Sequence, residues 1–175
     1  MKNIAKHIAM GVLLLSSMAW AQSKFQPLSV KPGLWESTTT STTTGQMPIP
    51  SEMLSQLSPD QRARMEARMN ANSAPRTRTF TNKQCETKEK LAEQPFSNQK
   101  ECKATVISST ATKAEIKMSC EYGDVKSTGT MNVEALGPEN VKGSVHMTSS
   151  GGSHTMTVNT TFSGKWLGSS CGSTK

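Results

Sequence analysis

The stretch KAEIKMSCEYGDVKSTGTMNVEALGPENVKGSVHMTSSGGSHTMTVNTTF, residues 113–162, decides the fold. Apolar and polar residues alternate along four successive segments of it, and a period of two places alternate side chains on opposite faces of a strand. One face carries Ala114, Ile116, Met118, Cys120 and Tyr122, then Val125, Met131 and Val133, then Val141, Val145 and Met147, then Met156, Val158 and Phe162. The other face carries Glu115, Lys117, Lys126, Thr128, Asn132, Glu134, Lys142, His146, Thr155 and Asn159. Turn residues at Gly123-Asp124, at Gly137-Pro138-Glu139-Asn140 and from Ser149 to Ser153 separate the segments, so the stretch predicts an antiparallel meander with one apolar face.

Working outward, Cys102 to Ser109 adds a strand with Ala104 and Val106 turned inward, and residues 76–83 form another around Phe80. Near the beginning, Lys31-Pro32-Gly33 opens a strand that runs through Leu34-Trp35-Glu36 into a Thr/Ser run ending at Thr44; threonine is β-branched and suits an extended backbone. Between these strands Ser58-Pro59-Asp60-Gln61 reads as a helix start, with Ser58 as N-cap, Pro59 in the first turn and Gln61 completing a capping box. A helical excursion over about residues 58–71 follows, its weak apolar face carried by Met65 and Met69. A short helix is expected from Thr87 to Gln94, stopped by Pro95. The fold class is mainly β: an antiparallel curved sheet or partly open, barrel-like meander of about six or seven strands, with one or two short inserted helices.

Residues 1–21 have the three parts of an export signal. Lys2 and Lys6 give a positive start, the apolar run from Ile8 to Met18 follows, and Ala19-Trp20-Ala21 offers small residues for cleavage. That run is too short for the roughly 20 residues that cross a bilayer as a helix, and Gln22 stands where a bacterial lipid anchor needs cysteine. Cleavage near Ala21, a periplasmic location and a single exported β-rich domain over residues 22–175, without a transmembrane segment, are the expectations. The signal holds two of the 20 basic and none of the 13 acidic residues, leaving 18 against 13 and a formal charge of +5. The positive residues are scattered and no aromatic-rich basic stripe accompanies them, so nucleic acid is not an expected partner.

Four cysteines, Cys85, Cys102, Cys120 and Cys171, lie beyond the signal, and an even number in an oxidising compartment reads as two disulfides. Of the three possible pairings, Cys85 with Cys102 and Cys120 with Cys171 is favoured, the first closing a short insertion and the second tying down the tail. No Cys-x-x-Cys pair is present, so zinc is not expected.

These features together resemble the domain-of-unknown-function 3617 family of exported bacterial proteins. The resemblance is carried by Lys31-Pro32-Gly33-Leu34-Trp35-Glu36, by Cys85 followed by Thr87, by Cys102 and Cys120, and by Phe162-Ser163-Gly164-Lys165-Trp166-Leu167-Gly168 with Cys171-Gly172. It covers nearly all of the chain after the signal. It implies an exported β-rich domain and adds no active-site residues.

Nucleophilic catalysis needs a base beside the nucleophile, and after the signal only His146 and His154 offer imidazole. Neither stands in a catalytic motif, and no nucleophile elbow, zinc helix or phosphate loop occurs. Glu115, Glu121, Asp124, Glu134 and Glu139 fall on outward positions or turns. The sequence therefore predicts a non-catalytic protein without a cofactor, binding an apolar small molecule, an envelope component or a protein partner. The small inward residues Ser127, Gly129, Gly143 and Thr160 either allow the sheet to bend or leave room for a ligand, with Trp35, Trp166 and Tyr122 as candidate lining. The alternative is soft-metal (copper) binding through Met and His, because Met118, Met131, Met147 and Met156 occupy inward positions on four successive segments.

Overall fold

The computed structural model describes residues 24–71, 73–95 and 99–174, and the export signal assigned to residues 1–21 lies outside them. Seven antiparallel strands form one open, uncurled sheet. They are β1 (Gly33–Gly45), β2 (Arg76–Glu86), β3 (Cys102–Ser109), β4 (Lys113–Tyr122), β5 (Val125–Gly137), β6 (Asn140–Gly151) and β7 (His154–Gly168). The spatial order is β2-β1-β7-β6-β5-β4-β3, so β2 and β3 form the two edges and the sheet does not close into a barrel.

The meander from β3 to β7 follows the alternation directly. Ala114 stands opposite Val133, Val133 opposite Gly143, and Gly143 opposite Phe162; one level further along, Ile116, Met131, Val145 and Thr160 form the next row. The turn at Gly123-Asp124 holds Gly123 at φ +63°, where a side chain is disfavoured. The turn after β6 is tighter than the sequence suggested: Ser149 and Ser150 belong to the strand, and only Gly152 and Ser153 lie outside β6 and β7. Ser149 is buried and shares a 2.7 Å hydrogen bond with the buried Ser127 across the strands, which satisfies both hydroxyls.

Strand β1 pairs along its whole length with β7, Trp35 standing opposite Trp166, and on its other side with β2. Between β1 and β2 the chain makes α1 (Ser51–Ser55) and α2 (Pro59–Ala71), and α3 (Lys88–Ala92) follows β2. The capping box at α2 is formed, Gln61 N–H donating to Ser58 Oγ at 3.3 Å and Ser58 N–H to Gln61 Oε1 at 2.9 Å. Thr87 caps α3 in the same way, accepting from Lys90 N–H. The single turn α1 is an addition that its sequence did not announce. Its first residue, Ser51, donates its N–H to Asp124 of the β4–β5 turn at 2.9 Å, so a distant carboxylate takes the place of a local cap.

The core lies on one face and is concentrated on β3 to β5. Ile116 has no exposed surface, and Val106, Ala114, Met118, Cys120 and Val125 surround it in the buried set, with Trp35 buried on β1. Residues 24–32 strap across one end of the sheet. Gln26 exchanges two hydrogen bonds with Ser109 Oγ, Ser29 N–H donates to Ala111 O, and Lys31 N–H donates to Pro138 O while its ammonium pairs with Glu139.

The disulfides are Cys85–Cys171 and Cys102–Cys120, not the pairing favoured from spacing. The reason is topological. Cys102 and Cys120 stand opposite each other on the paired strands β3 and β4, with Cα atoms 4.0 Å apart. Cys85 lies opposite Leu34 and Leu34 opposite Gly168, so the tail after β7 reaches over the end of β1 to β2. In the chain-entropy picture these loops contribute about 3 kcal/mol for the hairpin and about 4.5 kcal/mol for the long closure.

The outer face is mostly polar, although Leu136 and Leu167 are exposed on it. Hydroxyl pairs Thr38–Thr81, Thr40–Thr79 and Thr42–Thr77 bond between β1 and β2 at 2.8–2.9 Å. Further along the face, Glu134 sits between Lys113 and Lys142, at 3.1 and 3.3 Å. The Lys113 ammonium, and then that of Lys142, hold the Glu134 carboxyl below its ordinary pKa.

Three outcomes follow from this arrangement. Non-reducing peptide mapping of the oxidised protein will recover the pairs Cys85–Cys171 and Cys102–Cys120; any other pairing refutes the strand order at the β2 edge. Ile116→Ala will cost about 2–5 kcal/mol in urea unfolding because the site is fully enclosed, whereas Leu136→Ala, at an exposed site, will stay within about 0.5 kcal/mol. A carboxyl with a depressed folded pKa adds stability above its unfolded pKa and loses it as pH falls through the folded value. Glu134→Gln is therefore expected to lower thermal stability at neutral pH and to converge on wild type in acid; parallel curves would show that the two lysines do not act on Glu134.

Candidate functional site

The best-formed recess sits on the inward face, under the strap, with a volume of about 380 Å³. Its floor is the apolar row of the sheet: Met131 and Val133 from β5, Val141 from β6 and Phe162 from β7. Phe25, Leu28 and Val30 of the strap form one wall, and Trp35 of β1 another. The mouth lies toward the β2 edge, where Gln84, Glu86, Lys90 and Glu93 ring the opening and Leu91 and Pro95 close in from the α3 segment. A space of this size with apolar walls and a few polar groups at its rim has the make-up of a small-molecule site.

Glycines set the height of the floor. A Cβ at Gly143 would come within 2.2 Å of Phe162 Cζ, and one at Gly164 within 2.7 Å of Val141 Cγ2 and 3.4 Å of Trp35 Cε3. The two rings therefore lean over bare backbone, an arrangement that a larger residue at either glycine would push out of place. Trp35 is fixed further by its indole N–H, which donates to Lys31 O at 2.9 Å and so joins the cavity wall to the strap. At the rim, Gln84 Nε2 donates to Glu86 Oε1 at 2.7 Å, and Lys90 Nζ donates to Cys85 O at 3.1 Å.

The small inward residues divide between roles. Gly143 accommodates Phe162, Ser127 pairs with Ser149, and Thr160 shares a 3.0 Å hydrogen bond with Ser41. At Gly129 a Cβ would meet the His146 carbonyl at 2.4 Å, so close strand approach explains that position. Of the three rings expected to line a space, Trp35 does so. Trp166 instead donates its indole N–H to Pro32 O at 3.1 Å and lies under the Lys31 ammonium, while Tyr122 is exposed at a strand end with its hydroxyl 3.6 Å from Cys102 Sγ.

The strap residues Phe25, Leu28 and Val30 received no role from the sequence pattern. The available signal was three apolar residues spaced two and three apart just before the Pro32-Gly33 strand start.

The two imidazoles are not brought together. His146 is on the outer face, its Nδ1 2.7 Å from Asn159 Oδ1, and His154 opens β7 on the inward side. A second, larger groove of about 570 Å³ crosses the outer face between Lys113, Glu115, Asn132, Glu134, Lys142 and Ser144. Both of its lysines already pair with Glu134, so its charged groups are satisfied within the protein. Among the described residues, no group of three or more His, Cys, Asp or Glu side chains is placed to hold a metal ion, and all four cysteines are in disulfides. The methionines considered together from sequence are separated: Met118 is buried in the core, Met131 floors the cavity, and Met156 lies near the other end of β7. No described helix is long and apolar enough to cross a membrane.

No curated protein and no solved structure matches the chain. Residues 30–171, from the end of the strap through the last disulfide cysteine, match the family described as "Protein of unknown function (DUF3617)", and the chain belongs to that family.

Proposed function

We propose that this protein is a non-catalytic binder of the bacterial periplasm, which takes an apolar or amphipathic small molecule of the envelope into the cavity beneath the strap. The observation that carries the reading is the combination of an apolar floor, made by Met131, Val133, Val141 and Phe162, with a mouth that holds both signs of charge. An acyl-type chain would bury its methylenes on the floor at about 0.8 kcal/mol each. Its polar end would remain at the mouth, where Lys90 and Gln84 offer donors and Glu86 and Glu93 acceptors, one carboxylate in excess of the single ammonium. Among the described residues that line it there is no imidazole or thiol, and the carboxylates there, Glu86 and Glu93, stand at the rim, which favours binding over bond-breaking chemistry. Export is supported by the signal-like residues 1–21 and by two disulfides, which persist in oxidising compartments.

The test uses the intrinsic fluorophore in the cavity wall. A brominated fatty acid titrated into the signal-free, oxidised protein is expected to quench Trp35 saturably, and Trp166→Phe is expected to retain that quenching. Leu91→Trp, which fills the mouth from α3, should weaken binding by about tenfold or more with thermal unfolding unchanged, measured by competition with a bromine-free acid. Absence of saturable quenching, or equal binding by Leu91→Trp, would refute the cavity as the site.

A further inference from the structure

Three charged side chains, Glu86, Lys90 and Glu93, stand at the mouth of the cavity beneath the strap. Two of them are held by neutral partners. Lys90, on α3, donates through Nζ to the Cys85 carbonyl at 3.1 Å. Glu86, the last residue of β2, is half-buried and accepts from Gln84 Nε2 at 2.7 Å. Glu93 leaves α3 at its C-cap with an extended backbone, its N–H donating to the carbonyls of Glu89 and Lys90.

Among the described residues, none of these three charges takes part in an ion pair. Elsewhere such charges do pair: Lys31 meets Glu139, and Glu134 sits between Lys113 and Lys142. The mouth thus presents both signs of charge, positioned and uncompensated, around the opening of an apolar space. A purely anionic head would gain Lys90 but face two carboxylates. A purely cationic head would gain the carboxylates but be set against Lys90. Because Coulomb energy follows the product of the charges, a head that carries both signs finds an opposite partner for each. Side chains already held in place also lose little freedom when they bind. The volume of about 380 Å³ lies at the lower end of the range of about 300–1,000 Å³ for small-molecule sites, which suits one chain better than the paired chains of a bilayer lipid.

We infer that the cavity selects a single-chain amphiphile with a zwitterionic head, its phosphate facing Lys90 and its primary ammonium facing Glu86 and Glu93, an assignment that rests on the cavity being the ligand site.

Lauroyl amphiphiles, used below their micelle concentrations to compete with the brominated fatty acid for the quenching of Trp35, separate the head from the chain. The signal-free, oxidised protein is expected to bind lysophosphatidylethanolamine about three- to tenfold more tightly than lysophosphatidylglycerol, which carries the phosphate without the ammonium; one or two partly exposed ion pairs supply a difference of that size. The double variant Glu86→Gln, Glu93→Gln keeps the side-chain shapes and an acceptor for Gln84, and should bring that ratio to about one, each single variant moving it part of the way. Lys90→Gln should weaken both lysophospholipids relative to neutral monolauroylglycerol. Equal binding of the two lysophospholipids by the wild type, tighter binding of lysophosphatidylglycerol or of dodecylammonium, or a preference that survives in the double variant would overturn the zwitterionic assignment and leave the cavity standing. No competition by any of these amphiphiles, together with no quenching by the brominated acid, would overturn the cavity and this assignment with it.

Discussion

Strand β1 must hold β7 on one side and β2 on the other, and the remaining architecture depends on that double pairing. The meander from β3 to β7 is assembled from neighbouring hairpins. The entry strand, by contrast, has to find the last strand of the chain, Trp35 meeting Trp166 and Gly45 meeting Met156. Two tryptophan N–H groups hold the start of this pairing by donating to Lys31 O and Pro32 O, so the same contacts that seat β1 also direct residues 24–32 across the inward face. Because β1 lies between them, β2 and the C-terminal tail approach each other only over its end, and Cys85–Cys171 links them there. Cavity, strap and long disulfide are thus consequences of one strand placement.

The parts legible from sequence were those in which local pattern and tertiary environment agree. The alternation in β4 to β7, the Ser58-Gln61 capping box and the strand start at Pro32-Gly33 each report a short-range constraint, and each is realised. The disulfide pairing was not legible by the argument from loop closure, because that argument ignores register. A register argument was available: Cys102 and Cys120 are equidistant from residue 111, the centre of the β3–β4 turn, and an antiparallel hairpin brings such residues face to face. The cavity was only partly legible. Trp35 and the glycines were visible as features, but the strap over them is held by hydrogen bonds to Ser109, Ala111 and Pro138, which no local pattern encodes.

The inward face is unevenly covered, and this explains where the recesses lie. Its tightly packed region is confined to the rows around Ile116, whereas the β1–β7–β2 side carries hydroxyls and small residues at inward positions such as Ser37, Thr39, Ser41 and Gly164. Side chains that small cannot fill the depth between a sheet and the segments laid over it. The strap and α3 therefore stand off the sheet at one end, and α2 meets it through flexible methionines at the other. Phe80, at an inward position of β2, is 55% exposed because neither covering segment extends over it.

An open sheet also exposes two edges, which invite pairing with other chains unless something opposes it. On β2 the outermost strand carries Arg76, Arg78 and Lys83, and pairing with a second strand would bring those charges against it. The other edge is protected differently. Strand β3 is short, is interrupted by a register shift between Val106 and Ser108, and is bonded at Ser109 to Gln26 of the strap. A bulge twists an edge away from a flat partner, and the strap is tied to the end of this strand through the Ser109 hydroxyl and through Ala111 O just beyond it. Residues 24–32 accordingly serve two physical ends at once: they wall the cavity on the inward face and are fastened to the end of the β3 edge, so that one segment links the site to the border of the sheet that carries it.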